Sequence, residues 1–265
     1  MTPAEDDEFD PFFDREIQAR LIELEGARTS RLFLLFGAMV IIIFGVIALA
    51  AYFGFYVIGG DDGLLAFFVA FGSAAGFAVL LVVLAYLMLV RSYLRDRVDA
   101  QVLVPLFQHL LGEFKYESTS AIDDSWWRKS ELFDDTWEKR RADQLVTARL
   151  GDADIQFCHL HLAPKELSPT KQQAFQGIFL VATQDRSSWS NDDAFRRSLS
   201  TTVDPPSDFQ LSIDEDTLYL AVAADYPTPR ANPLRPVVDA SRLREFVDKL
   251  VFTIDVGRHY ASQRP

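Results

Sequence analysis

Two histidines one residue apart, His159 and His161, have the spacing in this chain that most suggests chemistry. The stretch Ile155-Gln-Phe-Cys-His-Leu-His-Leu162 reads as a β-strand, and on a strand residues i and i+2 point to one face. Two neighbouring imidazoles can supply two ligands to a metal ion, which then needs a third or fourth from elsewhere in the fold. Cys158 falls on the opposite face and does not join them. A thiol–imidazole pair built on Cys158 would have to take His109 or His259 as its base. The plain alternative is two histidines on a sheet face above a buried thiol. With a single cysteine, no intramolecular disulfide and no cysteine-based metal site can form within one chain.

Acidic pairs recur at Asp123-Asp124, Asp134-Asp135, Asp192-Asp193 and Asp214-Glu215-Asp216. Paired carboxylates can bind cations or share a proton. Here each pair sits where a turn or a helix start is expected, so solvated turn residues and N-caps account for them. Trp126-Trp127, followed by Arg128-Lys129, forms an aromatic and basic pair that suits a protein or membrane interface. The plain reading is one indole in the core and one half exposed. No phosphate-binding glycine loop, dinucleotide fingerprint, zinc-protease helix or nucleophile elbow occurs. No cofactor is therefore expected, and the reading leans away from an enzyme.

The elements that would carry these residues follow from periodicity. Leu145–Leu150 and Ile155–Leu162, joined at Gly151-Asp152-Ala153-Asp154, predict a hairpin. Gly177–Thr183 predicts a buried strand. Phe209–Ile213 and Leu218–Val222 predict a second hairpin around Asp214-Glu215-Asp216. A proline-rich loop, Pro227 to Pro236, leads to a last helix with Leu243, Phe246, Val247, Leu250 and Val251 on one face. Residues 113–265 thus read as a cytoplasmic α+β domain with a small, mainly antiparallel sheet. Residues 91–112 read as a juxtamembrane helix, broken or kinked at Pro105 and stopped at Gly112.

Residues 32–90 carry only two charges, Asp61 and Asp62. About 20 apolar residues cross the hydrocarbon core of a bilayer, so Leu32–Gly60 and Gly63–Val90 predict a two-helix transmembrane hairpin with its turn at 59–62. The first apolar run is too long for the core of a signal peptide, and it is expected to be retained. Gly72 and Gly76 have the spacing that lets membrane helices approach closely, with Gly37, Gly45 and Gly54 as candidate facing residues. Arg15, Arg20, Arg28 and Arg31 precede the first span, and Arg91, Arg95 and Arg97 follow the second. This places both termini in the cytoplasm and the turn outside, the topology of a multi-pass inner-membrane protein. The spans hold no ionisable side chain, which argues against a transporter or channel subunit. Residues 1–31 form a cytoplasmic segment, acidic and disordered over Thr2–Glu8 and helical from Phe9 to Arg28. That helix either docks on the soluble domain or lies in the headgroup layer.

The chain has 265 residues, and its formal net charge of −12 with scattered basic residues argues against nucleic acid. Several segments, in this order, resemble a bacterial membrane-protein family of unassigned function, domain of unknown function 3137. They are Phe9-Asp-Pro-Phe-Phe13 with Leu24-Glu25 and Arg28, the span hairpin, Ser130-Glu-Leu-Phe133, the Gly151 hairpin, Ile155-Gln-Phe-Cys-His-Leu-His161, Phe175-Gln-Gly-Ile-Phe179, Leu218-Tyr-Leu-Ala-Val222 and the closing helix. The departure lies between Val181 and Phe209, where this chain is shorter and more polar. The resemblance implies architecture and membrane topology and supplies no catalytic residues. The expected function is a membrane protein in contact with the lipid bilayer whose cytoplasmic domain binds a protein partner, self-associates into a homo-oligomer or senses at the membrane surface. The alternative is a membrane-associated enzyme or metal-binding protein using His159 and His161.

Overall fold

The computed structural model describes residues 11–53, 76–77, 80, 83–84, 86, 88, 90–133, 137–164, 174–184, 192–199, 206, 208–224 and 240–262. The expected turn at 59–62, Gly72, the acidic segment Thr2–Glu8, Asp134-Asp135 and the proline-rich loop lie outside these residues. The chain divides into two units, one of residues 1–19, 99–230 and 239–265, the other of residues 20–98 and 231–238.

The first unit is built on one antiparallel sheet. Its strands are β1 (Phe114–Glu117), β2 (Trp137–Leu150), β3 (Ala153–Pro164), β4 (Phe175–Gln184), β5 (Phe209–Asp214) and β6 (Thr217–Ala223), in the order β1-β2-β3-β4-β6-β5. β2 and β3 meet through a two-residue turn, Gly151-Asp152, which pairs Leu150 with Ala153. Gly151 takes φ +57 there, the left-handed region glycine enters without a Cβ penalty. β5 and β6 turn at Glu215-Asp216, pairing Asp214 with Thr217.

Both faces of the sheet are covered, which explains why the central strands are apolar on both sides. One face carries Cys158, Leu160, Phe179, Val181, Tyr219 and Ala221 against Ile122, Trp127, Phe133 and Trp137. These last residues come from the irregular stretch around α3 (Asp124–Lys129) and from the start of β2. Asp123 caps α3 by accepting from the Ser125 amide at 2.8 Å, and Lys129 reaches Asp214 at 3.3 Å.

The other face carries Ile155, Phe157, Ile178, Leu180, Leu218, Leu220 and Val222, all buried. Over it lie α2 (Val104–Leu111) and α5 (Ala240–Ser262). Phe107 of α2 packs edge-on against Phe157 at 5.7 Å, and Phe252 of α5 against Phe209 at 5.4 Å. From Phe252 to Gly257 every residue of α5 is buried. Arg258 fastens the two helices by donating to the Leu110 carbonyl, where a cation complements the end of α2.

Three short elements were not predicted: β1, α3 and α4 (Asp192–Leu199). α4 lies in the stretch read as merely polar. Its Phe195 packs against Tyr260 at 6.1 Å. Its Arg196 donates to the Leu211 carbonyl at 2.6 Å, blunting the edge of β5. Pro105 sits in the first turn of α2, directly after a π-helical turn, Asp99–Leu103. Of the expected kink or break, the helix is not broken there, and a π turn is itself a common seat of a kink. A second π turn, Phe13–Ile17, opens the N-terminal helix. Phe12 stacks flat on His109, centroids 4.2 Å apart, and Phe13 and Ile17 are buried. The N-terminal segment therefore docks on the α+β unit.

The second unit contains α1 (Gln18–Phe53) from Arg20 onward. Among the described residues one stretch, Arg15–Ala48, is long and apolar enough to cross a membrane, and none of its most apolar window is buried. Phe33, Leu34, Phe36, Ile41, Phe44 and Ile47 are all exposed along one broad side of the helix, while Leu35, Met39 and Val46 on the other side are half-buried. A helix apolar on every side needs either a protein core or lipid. Of the second expected span, residues 76–77, 80, 83–84, 86, 88 and 90 are described, and all are helical. The Tyr86 hydroxyl donates to the Arg31 carbonyl, and the Arg31 guanidinium sits 3.3 Å from the centre of the Tyr93 ring. A Cβ built on Gly37, Gly45 or Gly76 meets no atom within 4 Å, so among the described residues these glycines are not pressed against a neighbour.

Candidate functional site

β3 projects His159 and His161 to one face, as their spacing predicts. The register places Asp143 opposite His159 and Arg141 opposite His161. That pairing depends on a bulge. The ladder shifts between Asp143 and Val146, and within the shift Gln144 adopts φ 63. Counted straight from the Leu150–Ala153 turn, Gln144 would face His159; the extra residue brings a carboxylate there instead.

The resulting block is polar and mostly enclosed. Arg141 Nε donates to Asp143 Oδ2 at 2.7 Å. Asp143 Oδ1 lies 3.5 Å from His159 Nδ1, a charge contact longer than a good hydrogen bond. The His159 side chain is 2% exposed, walled by Phe107, Gln144, Phe157, Ile178, Phe246 and Leu250. On the β1 side of the bulge, burial and the charges of Asp99 and Asp143 push the Tyr116 phenol far above its ordinary value, so it remains a neutral hydroxyl. Asp99, at the head of the π turn, and Gln144 are both buried. The block is thus a chain of polar groups, from Arg141 through Asp143 to His159 and from Gln144 through Tyr116 to Asp99. It lies under an apolar lid of α2 and α5.

An Asp–His pair can orient an imidazole for base catalysis, but this imidazole is buried, at 2% exposure, beside a small cavity it shares with aromatic and aliphatic side chains. Among the described residues no group of three or more His, Cys, Asp and Glu side chains is placed to hold a metal. His161, half-buried, has Arg141 as its cross-strand neighbour, a cation that disfavours a second one beside it.

The remaining candidates disperse. Cys158 lies on the opposite face, and burial pushes its thiol up to about 12, leaving it protonated and inert. Neither proposed base reaches it: His109 is stacked under Phe12, and His259 Nε2 lies 3.0 Å from Ser198 Oγ. Trp127 is buried in the core at 3% exposure, so its ring offers no docking surface. Trp126 is half-buried and packs 6.2 Å from Tyr219. The tryptophan pair is chiefly a lid on the sheet. Of the acidic pairs, Asp123 is a helix cap, Asp124 pairs with Lys139 and Asp214 with Lys129.

Asp143, Arg141, Gln144, Tyr116 and Asp99 were not singled out by the sequence. Their only signal is the break in alternation over Arg140–Leu145. Comparison of the chain with protein-family models, with curated proteins and with solved structures finds no match.

Proposed function

We propose that this chain is a membrane-anchored, non-enzymatic protein whose α+β unit binds a protein partner, self-associates or senses at the membrane surface. The observation that carries the proposal is the broad exposed apolar side of α1, from Phe33 to Ile47. Left in water, several exposed aromatic and aliphatic side chains each forfeit roughly 1.5–3 kcal/mol of burial; a bilayer removes that penalty. The return of the chain to Arg31 at Tyr86 and Tyr93 supports a second crossing between them. The arginines on both sides of the apolar run support termini in the cytoplasm. The resemblance to domain of unknown function 3137 accords with the same topology.

Non-enzymatic use is supported by the enclosure of His159, the imidazole that has the Asp143 carboxylate opposite it. A membrane enzyme built on His159 and His161 would need an opening through Phe107, Phe246 and Leu250.

Alkaline carbonate extraction combined with reporter fusions tests the proposal. The chain should stay with the membrane, a fusion at Asp61 should report the outside, and a fusion after Pro265 the cytoplasm. Release by carbonate overturns the anchor, and the reverse reporter pattern overturns the placement of the domain. Cross-linking and affinity purification in detergent should then recover an oligomer or a reproducible partner; recovery of neither overturns the binding role.

A further inference from the structure

The apolar run is closed at its two ends by the same residue pair in mirrored order: Ser30-Arg31 before Leu32, and Arg91-Ser92 after Val90. The Tyr86 hydroxyl holds the Arg31 carbonyl, and the Arg31 guanidinium lies 3.3 Å over the Tyr93 ring. Arg97 approaches the same ring at 5.1 Å. Tyr93 is thus flanked by two cations, Arg31 and Arg97; Arg91, two residues earlier on the helix, lies on another side of it. Ser30, Arg91 and Ser92 are exposed, and Arg31 and Arg97 half-exposed.

The acidic groups nearby are spoken for. Glu25 pairs with Arg28, and Asp96 with Arg95. Among the described residues this leaves Arg31, Arg91 and Arg97 without an acidic partner. Immediately beyond them stand exposed apolar side chains, Phe33, Leu34 and Phe36 on α1, and Leu84 and Met88 on the returning segment. A cationic cluster fixed at the edge of an apolar belt lies where a phospholipid phosphate sits when acyl chains cover that belt.

We infer that Arg31 and Arg97, gathered at the Tyr93 ring, form a headgroup site for anionic phospholipid. Guanidinium donors match phosphate oxygens in pairs. The Tyr93 ring holds Arg31 in place before lipid arrives, lowering the entropy lost on binding. A zwitterionic headgroup brings its own cation into this cluster and is disfavoured there; a headgroup with net negative charge is not. The inference rests on the membrane reading and gives the anchor a lipid preference.

The full chain is reconstituted in phosphatidylcholine nanodiscs with and without phosphatidylglycerol, and the lipid retained on detergent extraction is identified by mass spectrometry. Each guanidinium near an anionic surface contributes about a fivefold factor. Wild type should retain phosphatidylglycerol well above its share of the bulk lipid. The Arg31→Gln/Arg97→Gln double variant should lose that preference by on the order of twentyfold, while Arg31→Lys/Arg97→Lys keeps most of it. Retention at the bulk ratio by wild type, or unchanged enrichment in the glutamine variant, overturns the inference. Displacement of the retained lipid by inorganic phosphate also overturns it, assigning the cluster to free anions. Carbonate-washed samples are run in parallel. Wild type that stays inserted but shows no enrichment sinks the lipid site alone, whereas wild type released by carbonate sinks the membrane reading beneath it.

Discussion

Replacing Gly177 with alanine adds one methyl group at the place in the sheet least able to accept it. Gly177 lies in β4 opposite Ala223 of β6. A Cβ there would stand 2.0 Å from the Val222 carbonyl oxygen, 2.9 Å from its carbon and 3.0 Å from the Ala223 Cα. Unstrained carbon contacts lie near 3.5–4.0 Å, and all three neighbours are backbone, so no side chain can swing aside. Relief requires β4 and β6 to part, and their separation is set by the ladder itself. Overpacking of a core costs about 1–3 kcal/mol; with backbone on the receiving side, the upper end is expected. For a unit of this size about 3 kcal/mol lowers Tm by roughly 6–12 °C. Gly257→Ala is the paired control. Its methyl would meet Ile155 Cγ2 at 3.6 Å and Leu150 Cδ1 at 3.7 Å, ordinary contacts, and α5 gains about 0.5–1 kcal/mol of helix preference. Both are read by thermal unfolding of the full chain in detergent, followed by tryptophan fluorescence. Trp126, Trp127 and Trp137 lie on the sheet and report its integrity. Gly177→Ala melting within about 1 °C of wild type would refute the β4–β6 register, and a loss at Gly257 equal to that at Gly177 would refute the argument from local space.

The two histidines should separate sharply in denaturant: His159→Ala removes a buried ring opposite Asp143 and costs about 2–4 kcal/mol, while His161→Ala costs under about 1 kcal/mol. The opposite ranking would place the imidazoles differently. Cys158 should resist maleimide in the folded chain at mildly alkaline pH and react once urea unfolds the domain; labelling of native protein would contradict a thiol held near about 12 by burial. Burial lowers the His259 pKa, so the fold favours the neutral ring and the unfolded chain binds the proton more readily. Its contribution is complete above the unfolded value of about 6.5 and is lost as pH falls from there toward the lower folded value. His259→Gln should flatten that part of the stability–pH curve, and an unchanged slope would assign the dependence to other groups.

The strands and helices that were legible are those whose pattern arises from burial. β3, β4, the β5–β6 hairpin and α5 each show the alternation or helical period their surroundings impose. β1 and α3 were not, because four to six polar-rich residues carry too little periodicity and are held by tertiary neighbours, Phe107 on one and the Asp123 cap on the other. The first half of β2 was hidden by two register shifts, at Lys139/Arg141 and Asp143/Val146, which scramble a period of two. The same shift concealed the polar block. The shared face of His159 and His161 follows from strand geometry, but Asp143 faces His159 only after one residue is bulged out, and nothing local marks Gln144 for a positive φ. Pro105 was legible as a kink or break, and the helix continues through it after a π turn, Asp99–Leu103, that no local pattern marks.

The burial of α5 has a consequence for how the protein is made. Domains tend to fold as units while the chain is synthesised from its N-terminus, and here a deeply enclosed helix emerges only after the sheet it covers. Until Ala240–Ser262 arrives, the apolar row of Ile155, Phe157, Ile178, Leu180, Leu220 and Val222 has no cover from that helix. A message cut short before codon 240 would yield a sheet with one greasy side open to water, the kind of surface that chaperones and proteases recognise. Deletions that remove Ala240–Ser262 thus act on the assembly step itself, and their effect should be felt as missing protein rather than as a weakened one.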